Sequence, residues 1–537
     1  MVQTPNEEKR QRKRTPRSRN GCLTCKIRHL KCGEERPICR RCLDDGMECD
    51  GYIRGKTSQN PGARAILPKG NKLPMIRISQ SPFESDHELQ YFDLFTKHTI
   101  FNILPVMDSN ELKDMLLQTC SSHPAIRHAV FAIAALDKVS QTPTATSNPY
   151  LDQATDPKLQ HYRAALTQYT KAIQAMRSAA NSNLDPKIAL LTCHLIICFE
   201  AWTGNFQSVI QQITIAINLI SSWQFKHYDG TIASDLLISE FSRTNGILHE
   251  LLLIFRRLLI CLQFYNPSWT PKPCASLPLA NRPSLSSMPN SFTTIEEAAQ
   301  YHDSILRPTI DFTSSHHVNP RPIDPDSGLA PLPKFGASSI PMAATRWMKG
   351  FSPLLSALTS NNTQSKDARY ARILQVQMCA KYIVASSICH PDDESVYDLY
   401  TPYFAQIVRL SEEVLKFEGD KRGSGGTFCF DNRIVMSLWI AGTKCRERTV
   451  REGALKLLKT YPRREGLWDS EFSAGAVGWV KELEERGGDP SGKVDEWRRV
   501  VGVNWESDLV ERRAVLRCRQ RGREGGEWVK REGEINW

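Results

Sequence analysis

Six cysteines fall within the 28 residues from Cys22 to Cys49, spaced C-x2-C-x6-C-x6-C-x2-C-x6-C. The second half of this pattern repeats the first. A Cys-x2-Cys pair turns two sulfurs toward one cation, and a third cysteine one short helix later adds another ligand. Two such half-sites supply six thiolates, whereas two tetrahedral zinc ions need eight sulfur contacts. The numbers close when two thiolates bridge, which puts both ions in one compact binuclear cluster.

The insert between Cys25 and Cys32 carries the chemistry directed outward. It holds Lys26, Arg28, His29 and Lys31, four of six positions basic or able to become so. Ile27 and Leu30 lie three apart, so a helix would place them on one face, packed on the cluster, with the basic side chains facing away. Arg or Lys directed at guanine O6 and N7 is the commonest specific base contact. Arg28, His29 and Lys31 are therefore the candidates for base contact, and Lys26, Arg40 and Arg41 for phosphates. A neutral imidazole reads guanine less well than a cation does, which sets His29 apart.

These residues resemble the fungal binuclear zinc-cluster transcription factors, a family with six cysteines and two zincs. The likeness covers all six cysteines, the segment Lys26-Ile27-Arg28-His29-Leu30-Lys31, and Pro37 in the loop between the halves. It implies that Cys22 and Cys39 bridge, that Cys25 and Cys32 complete the first zinc, and that Cys42 and Cys49 complete the second. It also implies that the helix after the second cysteine enters the major groove and reads a CGG triplet. Many family members carry Lys or Arg where this chain has His29.

Other readings of the cysteines exist. Three disulfides would suit a secreted chain, yet the first twenty residues are polar and basic with no apolar core, as no secretory leader is. Ten further cysteines are scattered singly, as expected for reduced intracellular thiols. RING and LIM sites use other spacings and usually histidine. A zinc-stabilised scaffold that binds only protein is the alternative to DNA binding.

Residues 1–20 carry seven Lys and Arg among Gln, Thr, Pro and Ser. This composition reads as a disordered basic arm, suited to nuclear import and phosphate contact. Residues 1–70 hold 17 Lys and Arg against 8 Asp and Glu, while the whole chain is only +11. Charge concentrated at one end is what nucleic-acid attachment there requires. With the cluster assigned to 21–50, residues 51–83 read as a Gly-, Pro- and Ser-rich linker. No coiled-coil heptads follow the cluster. A homodimer, if formed, would be built by the larger domain.

From Ser85 onward apolar residues recur at helical spacing. Stripes include Ile126, Val130, Ile133 and Leu136, then Ile188, Leu191, Leu195, Phe199 and Trp202. Beyond a Gly204-Asn205 turn come Val209, Ile213, Ile217 and Ile220, and later Leu251, Ile254, Leu258 and Cys261. Periodicity resumes near Ala343 and runs through 364–391, 395–418, 430–445 and 467–487. Stretches near 265–292 and 316–341 read as flexible inserts. The expected fold is therefore all-α: a small zinc module, a linker, and a multi-helical domain over 84–537. Three segments, 92–105, 122–138 and 464–470, resemble the helical regulatory domain that follows the cluster in the same fungal factors. The most apolar runs are interrupted by His194 and Glu200, and by Arg256 and Arg257, and fall short of a bilayer span of about 20 residues. A soluble chain is expected.

No nucleophile elbow, P-loop, HExxH or dinucleotide motif is present, so catalysis is not expected. His316-His317 reads as a solvated loop, Asp392, Asp393 and Glu394 as helix-start acids, Cys193 and Cys198 as core residues, and Glu482–Glu485 as an exposed face. Together these readings predict a nuclear, two-zinc, sequence-specific DNA-binding regulator of RNA polymerase II transcription. Its partners would be duplex DNA and transcription machinery, with no membrane.

Overall fold

In the computed structural model of the protein, the described residues are 20–52, 83–104, 110–142, 156–179, 185–226, 246–265, 283–305, 339–361, 365–387, 390, 392–419, 427–486, 494–508, 511–522 and 526–537. They fall into two compact units, one within Met1–Ser79 and one within Gln80–Trp537. The basic arm and most of the expected linker lie outside the described residues, as does the His316-His317 pair.

The first unit has a core of sulfur rather than hydrocarbon. Cys22, Cys25, Cys32, Cys39 and Cys42 are buried, with Cys49 and Tyr52 packed against them. Two five-residue helices frame it, α1 (Leu23–Ile27) and α2 (Arg40–Asp44). Helices this short are unstable alone in water, so their shape depends on what caps and crosslinks them.

The second unit is helical. It begins with α3 (Asp86–Leu94), which runs through a π turn at Phe95–Thr99 into α4 (Ile100–Ile103). Then come α5 (Asn110–Ser122), α6 (Pro124–Gln141), α7 (Pro157–Ala179), α8 (Pro186–Thr203), α9 (Phe206–Lys226) and α10 (Gly246–Tyr265). These share the first core, with α6 at its centre. Ala129, Ala132, Ala134 and Ala135 are all buried on α6, and such small side chains let neighbouring helices approach closely. α8 starts on an Asp185 N-cap with Pro186 at the first turn and stops at Gly204, whose φ of 88° no β-carbon has to tolerate.

By length and composition, α8 is apolar enough to cross a membrane, contrary to the sequence expectation. It is packed inside the protein instead. Two of its polar residues find partners there: His194 Nε2 bonds the Ile103 carbonyl at 2.9 Å, and Glu200 accepts from the Tyr169 hydroxyl. Cys193 and Cys198 are buried core residues.

A helix over 295–305, α11, and α12 (Ser339–Asn361) build a second core with Met288 and Phe292. Of the stretch 265–292 expected as an insert, 266–282 lie outside the described residues, while 283–292 pack on this core. Residues 339–341 likewise open α12. A third core joins α13 (Lys366–Ser387), α14 (Thr401–Gly419), α15 (Val435–Lys444), α16 (Arg448–Thr460) and α17 (Ser470–Glu485). Three short strands, β1 (Thr427–Cys429), β2 (Arg463–Glu465) and β3 (Trp468–Asp469), pair β1-β2 parallel and β2-β3 antiparallel.

The helical class stands, and the C-terminus adds a sheet that the periodicity did not reveal. β4 (Val501–Asp508), β5 (Arg513–Arg521) and β6 (Trp528–Asn536) form an antiparallel meander. Ala514, Leu516 and Cys518 point alternately inward from β5 and are buried against α17 and its neighbours. Arg513, Arg517 and Arg519 fall on the opposite face, and in sequence that alternation is hidden by charge.

Candidate metal centre and nucleic-acid interface

The two half-repeats fold alike. Cys22 caps α1, accepting from Cys25 N–H at 3.4 Å, and Cys39 caps α2, accepting from Cys42 N–H at 3.4 Å. At the other end, His29 N–H bonds the Lys26 carbonyl and Leu30 N–H the Cys25 carbonyl. In the second half Gly46 and Met47 bond Leu43 and Cys42 in the same way. Both are Schellman ends with a left-handed residue, His29 at φ 56° and Gly46 at φ 64°. His29 thus occupies the backbone position that glycine fills in the other half.

This geometry overturns the expected helix over Lys26–Lys31. α1 stops at Ile27, and neither Ile27 nor Leu30 packs on the cluster: they are 71% and 39% exposed. The six sulfurs leave no apolar surface for Ile27 to cover, and the left-handed turn at His29 redirects the chain.

The sulfurs themselves converge. Those of Cys22, Cys25, Cys32 and Cys39 lie within 4.8 Å of one another, as do those of Cys22, Cys39, Cys42 and Cys49. Cys22 and Cys39 are common to both groups, 3.6 Å apart. Further Sγ···Sγ separations are 3.6 Å for Cys25–Cys39 and 3.8 Å for Cys22–Cys42, with one between the outer ligands, Cys25–Cys42, at 3.8 Å. None is a disulfide. A tetrahedron with zinc–sulfur bonds of 2.3 Å has edges of about 3.8 Å, so the Cys22–Cys39, Cys25–Cys39 and Cys22–Cys42 separations fit sulfurs on a common zinc, whereas Cys25 and Cys42 fall in different groups.

Electrostatics agree with the need for cations. Burial, then the crowding of neighbouring sulfurs, pushes the Cys22 thiol up and the Cys25 thiol up to about 12. Burial acts on Cys32 in the same direction but is outweighed by N–H groups of Cys22 and Glu34 at 3.3 and 3.4 Å, which bring it down to about 7. Six thiolates this close are tolerable only with positive charge between them.

Residues that sequence reasoning missed hold the outer shell. Thr24 Oγ1 donates to the Glu48 carbonyl and accepts from Asp50 N–H, tying the last cysteine's segment to α1. Glu35 accepts from Arg40 N–H at the start of α2. Tyr52, assigned to the linker from its Gly and Pro surroundings, folds back instead. Its hydroxyl donates to the Glu35 carbonyl at 2.6 Å, lies 3.9 Å from Cys32 Sγ, and its ring carries the Arg36 guanidinium.

Of the six basic candidates, Lys26, His29, Lys31, Arg40 and Arg41 are exposed. Arg28 is not free in the same sense: its guanidinium meets Asp45 at 3.0 Å, and Arg41 reaches the same carboxylate at 3.4 Å. Residues 20–52 hold six Lys and Arg and six Asp and Glu, so the module has no formal excess before the metal is counted. The charges are instead divided between the repeats. Arg28 and Lys31 occupy the positions taken by Asp45 and Glu48 in the second half.

In the helical unit, Asp393 caps a 3-10 turn, as expected for a helix-start acid, accepting from Ser395 N–H. Glu394 beside it is buried and paired with Lys444 and Arg446. Glu484, expected on an exposed face, is buried between Arg446 and Arg451.

A protein built this way, a binuclear cysteine cluster ahead of a large helical unit, has the architecture of a fungal transcription factor. Residues 20–59 match the Fungal Zn(2)-Cys(6) binuclear cluster domain, and residues 88–256 match the Fungal specific transcription factor domain. Residues 20–59 and 88–256 thus carry the two domain types found together in fungal binuclear zinc-cluster transcription factors. The chain is similar to the aspercryptin biosynthesis cluster-specific transcription regulator atnN of Emericella nidulans, 30% identical over 39% of this chain and 36% of that one. It is also similar to the transcription regulator lscL of Purpureocillium lilacinum, 29% identical over 38% of this chain and 49% of the relative. A third relative is the Zn(2)-C6 fungal-type transcription factor afumD of Aspergillus fumigatus, 29% identical over 26% and 38%. The matched regions thus span less than half of each of these relatives' length. No solved structure matches the chain.

Proposed function

We propose that the chain is a nuclear, sequence-specific regulator of RNA polymerase II transcription that attaches to duplex DNA through residues 21–50. The observation that carries this reading is the division of charge across two equivalent half-repeats. One presents Lys26, Arg28 and Lys31, while the matching positions of the other hold Leu43, Asp45 and Glu48. A polyanion is drawn mainly to the first half, with Arg40 and Arg41 the cations of the second, so binding is directional although the module is nearly two-fold.

In this reading Cys22 and Cys39 bridge two zincs, Cys25 and Cys32 complete one, and Cys42 and Cys49 the other. Zinc supplies crosslinks and positive charge; with four sulfurs on each ion no position is left for water. Lys26 and Lys31, exposed on the first half, are the cations offered to the groove, and Arg28, held by Asp45, orients the end of α1. Arg40, Arg41 and the basic arm add phosphate contacts, which supply affinity, while base contacts within a CGG-type half-site supply specificity. Residues 84–537 form the regulatory domain, which also carries any homodimer contact and the surface for transcription machinery.

The test is selection of random duplexes by the full-length zinc-loaded chain, with Lys31→Glu, which copies Glu48, in parallel. Enrichment of CGG-containing sites that Lys31→Glu abolishes, with zinc content unchanged, is the expected result. No enrichment by either chain would favour the rival, a zinc-stabilised protein-interaction scaffold.

A further inference from the structure

The C-terminal meander leaves one edge open. β6 has β5 on one side, in unbroken register from Arg513↔Asn536 to Arg521↔Trp528, and nothing pairs with its other side among the described residues. Hydrogen-bonded pairs alternate along an antiparallel ladder. Gly522 N–H bonds the Glu527 carbonyl and Trp537 N–H the Arg512 carbonyl, so the odd-numbered residues of β6 turn their backbone toward β5. The even-numbered ones, Trp528, Lys530, Glu532, Glu534 and Asn536, turn N–H and C=O outward, where no described residue meets them. None of the nine residues of β6 is buried.

The strand is nevertheless held firmly from one face. Ile535 lies over Gly475 of α17, and Trp479 sits so close to Gly533 that a β-carbon there would overlap its indole. A long unpaired edge fixed in this way is a template for another strand, and charged side chains on it exclude partners that do not complement them. Here Glu532 is met by Arg517 at 2.7 Å and Glu534 by Arg513 at 2.6 Å. Lys530 has no ion-pair partner among the described residues.

We propose that the outer edge of β6 pairs with the same edge of a second copy of the chain, antiparallel about a two-fold axis at Glu532, so that two meanders join as one six-stranded sheet. In this register each Lys530 faces the other copy's Glu534, and each Val529 faces Ile535 on the side covered by α17. The two Glu532 side chains meet at the axis, each offset by its own Arg517. All five outward-turned residues gain backbone partners along the full strand. Neighbouring registers are worse: an axis at Lys530 or Arg531 opposes like cations, and one at Gly533 sets Glu532 against Glu534 twice.

The test is sedimentation of the full-length zinc-loaded chain over a concentration series without DNA, so its failure leaves the DNA-binding reading standing. A dimer is expected. Lys530→Glu and Glu534→Lys each turn two opposite-charge pairs into two like-charge pairs, and each should weaken the dimer about tenfold. Mixed in equal amounts, the two variants again place opposite charges across the axis and should associate about as tightly as the unsubstituted chain. Glu532→Pro removes an outward N–H while sparing the ladder to β5, and should abolish the dimer while circular dichroism keeps its helical signature. A monomer at every concentration, a dimer indifferent to both charge variants, or a mixture no tighter than its components each overturn the proposal. Should Glu532→Pro fail to fold, the charge variants and their mixture still decide.

Discussion

Replacing His29 with glycine tests whether this residue serves the backbone or the DNA. His29 sits at φ 56° as the left-handed residue of a Schellman end, where its structural twin is Gly46 at φ 64°. The left-handed region costs an L-residue roughly 1–2 kcal/mol relative to glycine, and the extra freedom of glycine in the unfolded chain takes back about 0.5–1. His29→Gly should therefore stabilise the cluster by about 0.5–1 kcal/mol, a factor of roughly two to five in resistance to a chelator. The reciprocal change is clean, because a β-carbon added at Gly46 meets nothing within 4 Å and its cost is backbone strain alone. Gly46→Ala should lower resistance by a similar factor. The assay is zinc retention by the full-length chain against a chelator series, with duplex binding measured at saturating zinc. Lower retention in His29→Gly would refute the backbone argument. So would a tenfold loss of duplex affinity with both zincs in place, which would make the imidazole a base reader.

Ile27→Ser should leave zinc content and stability within about 0.5 kcal/mol, since the side chain is 71% exposed; a loss above 2 kcal/mol in a chelator titration would mean that it packs after all. Cys22→Ala should drop bound zinc to about zero per chain by removing a shared ligand, whereas Cys49→Ala should keep about one; equal losses by metal analysis would argue against bridging. Glu418 lies among Arg463, Arg433 and Arg369 at 2.6, 3.1 and 3.4 Å. Burial raises its carboxyl, but the three guanidiniums outweigh that and hold it down at about 2. Its folded value lies below the unfolded one of about 4.3, so its stabilisation is complete above that pH and fades as the pH falls toward 2. Glu418→Gln should cost about 3–5 kcal/mol at neutral pH, and denaturant midpoints unchanged there would refute the buried-network reading.

The metal centre was legible because ligand number and spacing are properties of the chain. Six thiols with a repeated spacing admit few arrangements, and the sulfurs meet as the pattern requires. The helical stripes were legible for a similar reason: Ile126, Val130, Ile133 and Leu136 share one face by periodicity alone, and all are buried. Residues 501–536 were not read as strands, since β5 sets Ala514, Leu516 and Cys518 among four arginines and looks like a polar tail until α17 covers one side.

What the sequence alone determined is therefore local and repetitive: which atoms can bind metal, which faces are apolar, and which half of the repeat is basic. Tertiary structure decided where α1 ends, that Ile27 faces outward, that Asp45 takes Arg28, and that Tyr52 returns to Cys32. It also laid β6 beside β5 with the outer edge open. The physical reason is that ion pairs and sheet edges depend on distances between residues remote in the chain, and no spacing rule carries those distances.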